Sequence, residues 1–352
     1  MYRAAAPEKR CRQRTSPPVR RRLLSSHQHQ GSRRSNMANE KTSLFFAPLN
    51  RQRRAVVGWK RLILILLLPL APSPAAAIPM DNALTRIAQN KTVRIGHRLD
   101  EPPFSYVVNG QPLGYSIDIC LQVVDGIKTY LQMDDIQVVY VPVSTATRFP
   151  QIRNHGIDLE CAATTNNRER RKLAEFSWPH FVTATRFVAL KNSGIRRLED
   201  LAGRSVSASS GTINLEQLNA ANARLKLNIS VVLKKLNQDA FDLVANGKVS
   251  AFVMDDILLA GLIASAPRPD DFIISDDRLS RPEPYGIMMP PGQLTFRQVV
   301  NARLNTLFTN GDINAIYAKW FLSPIPPEGI NLRFAMPPNL QAMLAQPKDY
   351  LD

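Results

Sequence analysis

Beyond residue 78 the chain alternates two spacings of apolar residues. Thr92–Arg98 (TVRIGHR) puts apolar side chains at every second position, as a half-buried strand does, and the prolines of DEPPFSY end it. Between Tyr115 and Leu131 the apolar positions Ile117, Cys120, Val124, Ile127 and Leu131 step by three and four, which predicts one face of a helix. Ile136–Val143 (IQVVYVPV) predicts a buried strand and Gly156–Ala163 (GIDLECAA) a further one. Together these make a first βαβ-type lobe.

A second lobe starts after FSWPHFVTATRFVAL. GRSVSASSGTINLEQL reads as a strand, a Ser/Gly/Thr turn and a helix start; DAFDLVANGKVSAFVMDDILLAGLI reads as helix, Gly247 turn, strand and helix. The last stretch, FRQVVNARLNTLFTNGDINAIYAKWF, predicts two amphipathic helices split by Asn310-Gly311. Alternating strands and helices place the chain in the α/β class. No internal repeat or low-complexity tract interrupts this pattern.

The first 77 residues read differently. Of 45 Lys/Arg and 29 Asp/Glu in the whole chain, 16 basic and only two acidic residues (Glu8, Glu40) fall within residues 1–61. The remainder carries 29 basic against 27 acidic side chains, so the formal charge of +16 belongs mostly to the leader. A nucleic-acid partner is therefore not expected. The apolar run Leu62–Leu70 is too short for the roughly 20 residues of a bilayer span. It follows Lys60-Arg61 and precedes Ala75-Ala76-Ala77, which predicts a signal peptide cut after Ala77 and export to the periplasm. Met37 offers an alternative start. No cysteine stands at the cleavage position to carry a lipid.

Ala163–Ser177 (ATTNNRERRKLAEFS) gathers threonines, asparagines and arginines where a helix begins. Thr and Asn cap a helix start, but arginine there opposes the helix dipole unless an anion arrives from outside. Free N–H groups, hydroxyls and a guanidinium make a carboxylate or phosphate site; the alternative is a capped surface helix with solvated arginines. Arg98, Thr165 with Arg170, and Ser210–Thr212 each follow a predicted strand, and Asp255 closes another. Ligands of open α/β sheets sit beyond the carboxyl ends of strands, so these groups should converge on one cleft able to hold a zwitterion. Ser209–Thr212 also reads as an ordinary helix cap. There is no phosphate loop, Cys-x-x-Cys, His-Glu-x-x-His or Gly-x-Ser-x-Gly motif, and no cofactor or metal is expected. His97, His155 and His180 lack companions at ligand spacing and read as structural. Cys120 and Cys161 are the only cysteines after residue 77, and their spacing leaves one disulfide and two buried thiols both open.

The strings GHR, PFSY, GYS, PVSTATR, ECAATTNNRERRKLAEFS, SSGTINLEQLN, MDDILLAG, YGIMM and KWFLSPIPPEGINLRF occur in an order that resembles the periplasmic glutamate/aspartate-binding proteins of bacterial ABC importers, from about Val93 to the C-terminus. The resemblance implies a two-lobed type II periplasmic binding fold whose second lobe is inserted into the first. The expected divisions are leader 1–77, first lobe 78–183, second lobe 184–286 and return segment 287–352. It further implies a non-enzymatic monomer that captures an acidic amino acid and delivers it to a membrane permease.

Position by position, Arg170 resembles the clamp on the ligand's α-carboxylate, assisted by Thr165, and Asp255 the acceptor of its α-ammonium. Arg98 and Arg148 match the arginines that meet the side-chain carboxylate, with Thr145 at a neighbouring hydroxyl and Ser210 and Thr212 at the second-lobe turn. Three positions depart from the pattern: Ala163 stands for a serine, Ile213 for a threonine and Asn237 for a histidine. Three arginines and Asp255 leave a +2 site that glutamate reduces to +1, with Asp239 positioned to offset the rest if it faces the cleft. Related dicarboxylates and larger amino acids are the alternative ligands. A cyclic amino-acid dehydratase is the rival class, and Glu160 and Glu169 are its candidate acids, Glu160 without a visible partner to raise its pKa.

Overall fold

The computed structural model of the chain describes residues 80–349. The predicted signal peptide and its cleavage site lie outside the described residues. The first lobe is built on a five-stranded sheet in the order Gln137–Pro142, Thr92–His97, Leu159–Glu160, Met288–Met289 and Glu175–Phe176. The first three strands run parallel, and Met288–Met289 pairs antiparallel with both of its neighbours. The second lobe carries its own five-stranded sheet, ordered Ser230–Lys234, Ser205–Ser209, Ala251–Asp255, Thr185–Leu190 and Phe272–Ile274. Because every strand of the second sheet falls between Phe176 and Met288 in sequence, the second lobe interrupts the first.

The chain passes between lobes along two strands, Phe181–Thr183 outward and Glu283–Tyr285 back, which pair antiparallel with each other. Their aromatic residues are rooted in the first lobe. Phe181 stacks on Phe321 at 5.3 Å and meets Phe104 edge-on at 4.8 Å, while Tyr285 meets Phe104 at 5.2 Å. All four side chains are fully buried. Such offset and edge-to-face contacts add directional packing to the apolar burial.

The Tyr115–Leu131 helix forms where the three-and-four spacing places it, with Ile117, Cys120, Val124, Ile127 and Leu131 all buried. It starts at Gly114, whose φ of 139° suits only glycine, and a Cβ there would lie 2.1 Å from the Phe104 carbonyl oxygen. A disulfide joins Cys120 of this helix to Cys161, just past the Leu159–Glu160 strand, with sulfurs 2.03 Å and Cα atoms 6.3 Å apart. The bridge is the outcome of the two that spacing had left open. The two helices expected around Asn310-Gly311 are Leu294–Thr309 and Asp312–Tyr317, separated by Asn310 and by Gly311 at φ 85°, and a further helix, Pro338–Ala345, follows them.

One strand expectation is corrected. Gln137–Pro142 is not buried on both faces: Val139 is 45% exposed and the strand alternates between exposed and half-buried positions. It occupies the sheet edge, paired only with Thr92–His97, so its apolar run covers one face and leaves the other to solvent. Among the described residues no helix is long and apolar enough to cross a membrane, and no cluster of His, Cys, Asp or Glu could hold a metal.

Candidate functional site

Strand ends of both lobes deliver the charged groups to one narrow cavity. Arg98 follows the Thr92–His97 strand directly. Thr145 and Arg148 come from the turn and short helix after the edge strand, and Ala163 and Thr165 from the segment beyond Leu159–Glu160. Arg170 sits in a single helical turn, Arg168–Arg171, whose cap is Asn167: its side chain accepts the Arg170 N–H at 2.9 Å. From the second lobe come Thr212 and Asp255, with Ile213, Asn214 and Met254 beside them.

Seven of the eight sequence-predicted site residues line this cavity: Arg98, Thr145, Arg148, Thr165, Arg170, Thr212 and Asp255. Ser210 does not. It is half-buried and its N–H donates to the Lys234 carbonyl at 2.9 Å, as part of the edge of the second sheet. Thr212 is both lining and cap: its hydroxyl donates to the Ser209 carbonyl at 2.7 Å and accepts the Leu215 N–H at 3.2 Å, opening the Ile213–Leu225 helix.

The three arginines are held in different ways. Arg170 donates from Nη1 to the Thr165 carbonyl at 3.0 Å and lies against the Phe149 ring at 5.9 Å. Burial draws its pKa down, and carboxylates led by Asp255 oppose the shift. Arg148 donates to the Thr164 hydroxyl at 2.6 Å, with Glu160 at 3.8 Å behind it. Its pKa is lowered to about 10, by burial first and then by neighbouring Arg170, so it remains a cation at neutral pH. Its Nε has no partner. Arg98 is 4% exposed and paired at 2.5 Å with Glu101, with Asp100 at 3.7 Å and the Thr145 hydroxyl at 3.5 Å.

Asp255 is fully engaged by protein donors as well. One carboxylate oxygen accepts from Asn214 at 2.7 Å and the other from the Tyr285 hydroxyl at 2.5 Å. Burial raises its pKa to about 6, against the lowering by these two hydrogen bonds. At neutral pH it is an anion facing the cavity from the second lobe.

The site contains a group the sequence did not reveal: Glu101, 3% exposed, lines the cavity. Glu160, a candidate acid, is wholly buried against Thr164, whose hydroxyl donates to it at 2.9 Å. Three guanidinium groups are thus matched by three carboxylates, Glu101, Glu160 and Asp255. Asp239 is exposed and lines a neighbouring surface groove with Leu99 and Leu236, so the charge offset assigned to it belongs to Glu101. The visible signal for Glu101 was its place three residues after Arg98. Asn214 and Tyr285 gave no comparable signal, because their contacts with Asp255 cross 41 and 30 residues.

The three departures fall in distinct places. Ala163 lines the cavity, and its N–H donates to Glu101 at 3.2 Å. Ile213 adds an apolar wall where a hydroxyl was expected. Asn237 is outside the cavity: its side chain accepts from Ser209 at 2.6 Å, and its N–H donates to Asp100 of the first lobe at 2.7 Å.

Neither candidate acid stands free. Glu169 is exposed and paired with Lys172 at 2.6 Å, and Glu160 is engaged by Thr164. The histidines take structural places: His97 contacts the Arg98 carbonyl at 3.0 Å, His180 meets the Ser116 hydroxyl at 3.0 Å, and His155 is exposed at a turn with φ 57°.

Known proteins share this architecture. An L-glutamate/L-aspartate-binding protein of Pseudomonas aeruginosa is 37% identical over 80% of this chain and 93% of its own length. A glutamate/aspartate import solute-binding protein of Escherichia coli K12 is 35% identical over 80% and 93%. Among solved structures, an ancestral arginine-binding protein bound to arginine superposes with a TM-score of 0.59 at 26% identity, covering 66% of this chain and 98% of that one. A solute receptor for L-cysteine of Neisseria gonorrhoeae gives 0.59 at 25% identity over 68% and 93%. These neighbours share the two-lobed type II fold, and the named relatives are transport proteins rather than enzymes. Residues 93–323 match the profile of the bacterial extracellular solute-binding proteins, family 3, and the chain belongs to that family.

Proposed function

We propose that the protein is the periplasmic, monomeric receptor of an ABC importer, which captures glutamate or aspartate between its lobes and hands it to a membrane permease. One observation carries this reading: cationic and anionic side chains from both lobes meet in a single buried cavity. Arg170, with Thr165, clamps the α-carboxylate, and Asp255 accepts the α-ammonium. Arg98 and Arg148, beside Thr145, meet the side-chain carboxylate. The lobes divide at the paired crossing strands, near residues 183 and 286.

A charge withdrawn from water must find a partner, so a ligand with both charges is retained where a singly charged one is not. Succinate would leave Asp255 facing an apolar methylene, and glutamine would offer only an amide to the arginines. Calorimetry with glutamate, aspartate, glutamine and succinate tests the assignment. Glutamate and aspartate should bind more tightly than the other two, succinate because it brings no cation to Asp255 and glutamine because an amide is a weaker acceptor for guanidinium donors than a carboxylate. Equal affinity for glutamine and glutamate would overturn it.

Export makes its own prediction. The protein recovered from the periplasm should begin at or within a few residues of Ile78, as read by N-terminal sequencing. Retention of Leu62–Leu70 in that protein would refute cleavage at Ala77.

A further inference from the structure

Arg98 is placed to meet an acidic side chain, yet a protein carboxylate already occupies its guanidinium. Glu101 Oε1 lies 2.5 Å from Arg98 Nη1, and Glu101 Oε2 accepts the Ala163 N–H at 3.2 Å. Both side chains are at most 5% exposed and both line the cavity. We infer that Glu101 is a specificity-determining residue: an acidic amino acid takes Arg98 from Glu101 while Glu101 takes up one proton from solvent, whereas a neutral amino acid binds without proton uptake. This rests on the acidic-ligand reading and adds the condition under which that ligand is accepted.

The charge balance requires such a condition. Arg98, Arg148 and Arg170 already face Glu101, Glu160 and Asp255, with Asp100 a further 3.7 Å from Arg98, so no cation is left over and a zwitterion adds no net charge. A second ligand carboxylate adds one uncompensated negative charge to a low-dielectric enclosure, which is heavily disfavoured. Protonating Glu101 cancels it. The O–H of that carboxyl forms as a protonated buffer molecule in the solvent loses its own X–H bond to become its conjugate base, and the new hydroxyl can donate to the ligand carboxylate that replaced it on Arg98.

The surroundings make this proton accessible near neutral pH. Glu101 is faced by Arg98 at the end of its strand, Arg148 from the Arg148–Arg153 helix, Asp100 beside it, Glu160 from the central strand and Tyr285 from the returning crossing strand. Burial pushes the Glu101 carboxyl up, the two arginines pull it down, and Asp100 and Glu160 push it up again, leaving it at about 7. A ligand carboxylate alongside would raise it further, as one carboxylate does to another. The sign follows. Above about pH 7 the free site has an ionised Glu101, so capture of glutamate consumes a proton and weakens as pH rises. Asp255, raised only to about 6, and His97, held below its ordinary range, have already lost their protons in that window.

Calorimetry of glutamate binding at about pH 8, in phosphate and in Tris, measures the uptake through their different ionisation enthalpies. Close to one proton per glutamate is expected, with affinity falling up to ~10-fold between about pH 7.5 and 8.5, the linkage of one proton. Glutamine should show neither effect. Glu101→Gln should abolish both the uptake and the slope, and bind glutamate ~10-fold or more tightly than the parent at pH 8.5. Glutamate binding without proton uptake would overturn the role of Glu101 and leave the acidic-ligand reading standing. A slope that persists in Glu101→Gln would assign the proton elsewhere and likewise overturn it. Glutamine bound where glutamate and aspartate are refused from about pH 6 to 8.5 would overturn both readings.

Discussion

Arg170→Ala is expected to weaken every amino-acid ligand by ~2 to 5 kcal/mol, the range for removing one member of a buried charge pair. All amino acids share the α-carboxylate, so glutamate, aspartate and glutamine should lose affinity together. The guanidinium is held from behind by the Thr165 carbonyl and packed against Phe149, which leaves its remaining donors for the cavity. Without it the second lobe still supplies Asp255, but the carboxylate end of the ligand would be enclosed without its cation. Arg170→Lys should recover only part of the loss, because an ammonium is a point charge and lacks the planar fork. Thermal unfolding of the unliganded variant should change little, since Arg170 lies in a one-turn helix outside the apolar core. Near-normal affinity in Arg170→Ala, measured by calorimetry, would place the clamp on another residue.

The second large effect concerns stability. Replacing both Cys120 and Cys161 by alanine should lower the free energy of unfolding by ~4 kcal/mol, since the bridge closes a segment with a sequence separation of 41 and restrains the unfolded chain accordingly. Urea unfolding under non-reducing conditions checks this, and a loss below ~1 kcal/mol would show that the unfolded chain gains little from release of the bridge. Both cysteines are fully buried, so reductant should act on the native protein only as fast as that region opens. The bridge also fixes the base of the site. Cys161 precedes Ala162, whose carbonyl accepts from Ser116, and Ala163, whose N–H is bound by Glu101.

Candidate residues at strand ends were legible because polar side chains there are conspicuous against apolar runs. Arg98, Arg170 and Asp255 stand out in this way, and all three reach the cavity. Their electrostatic partners were hidden for a geometric reason. Glu101 precedes two prolines in a stretch without periodicity, and it faces Arg98 only because Asp100–Glu101 forms a short strand paired with Ser105–Val108. Tyr285 reads as a core aromatic, and its hydroxyl reaches Asp255 only because the returning strand passes between the lobes. Ser210 is polar and near the motif but belongs to the sheet edge, and Asp239, offered only if it faced the cleft, lines a groove beside the cavity that Arg98 also reaches. The edge strand was misjudged because an apolar run in sequence does not say whether a further strand will cover it.

The contact between Asp100 and the N–H of Asn237 joins the lobes at the start of the Asn237–Ala245 helix, where the helix dipole favours an anion. The hydrogen bond itself lies outside the cavity and would be broken when the lobes part, although Asp100 also lies 3.7 Å from Arg98. Its effect is therefore on timing. A solute enclosed by both lobes can leave only when they part, and this clasp should lengthen each closed interval. Asp100 therefore links residence time, through Asn237, to the Arg98 and Glu101 end of the site. A carrier that must travel to the membrane before unloading depends on residence time as much as on selectivity, and affinity differences among related complexes are expressed mostly through dissociation rates.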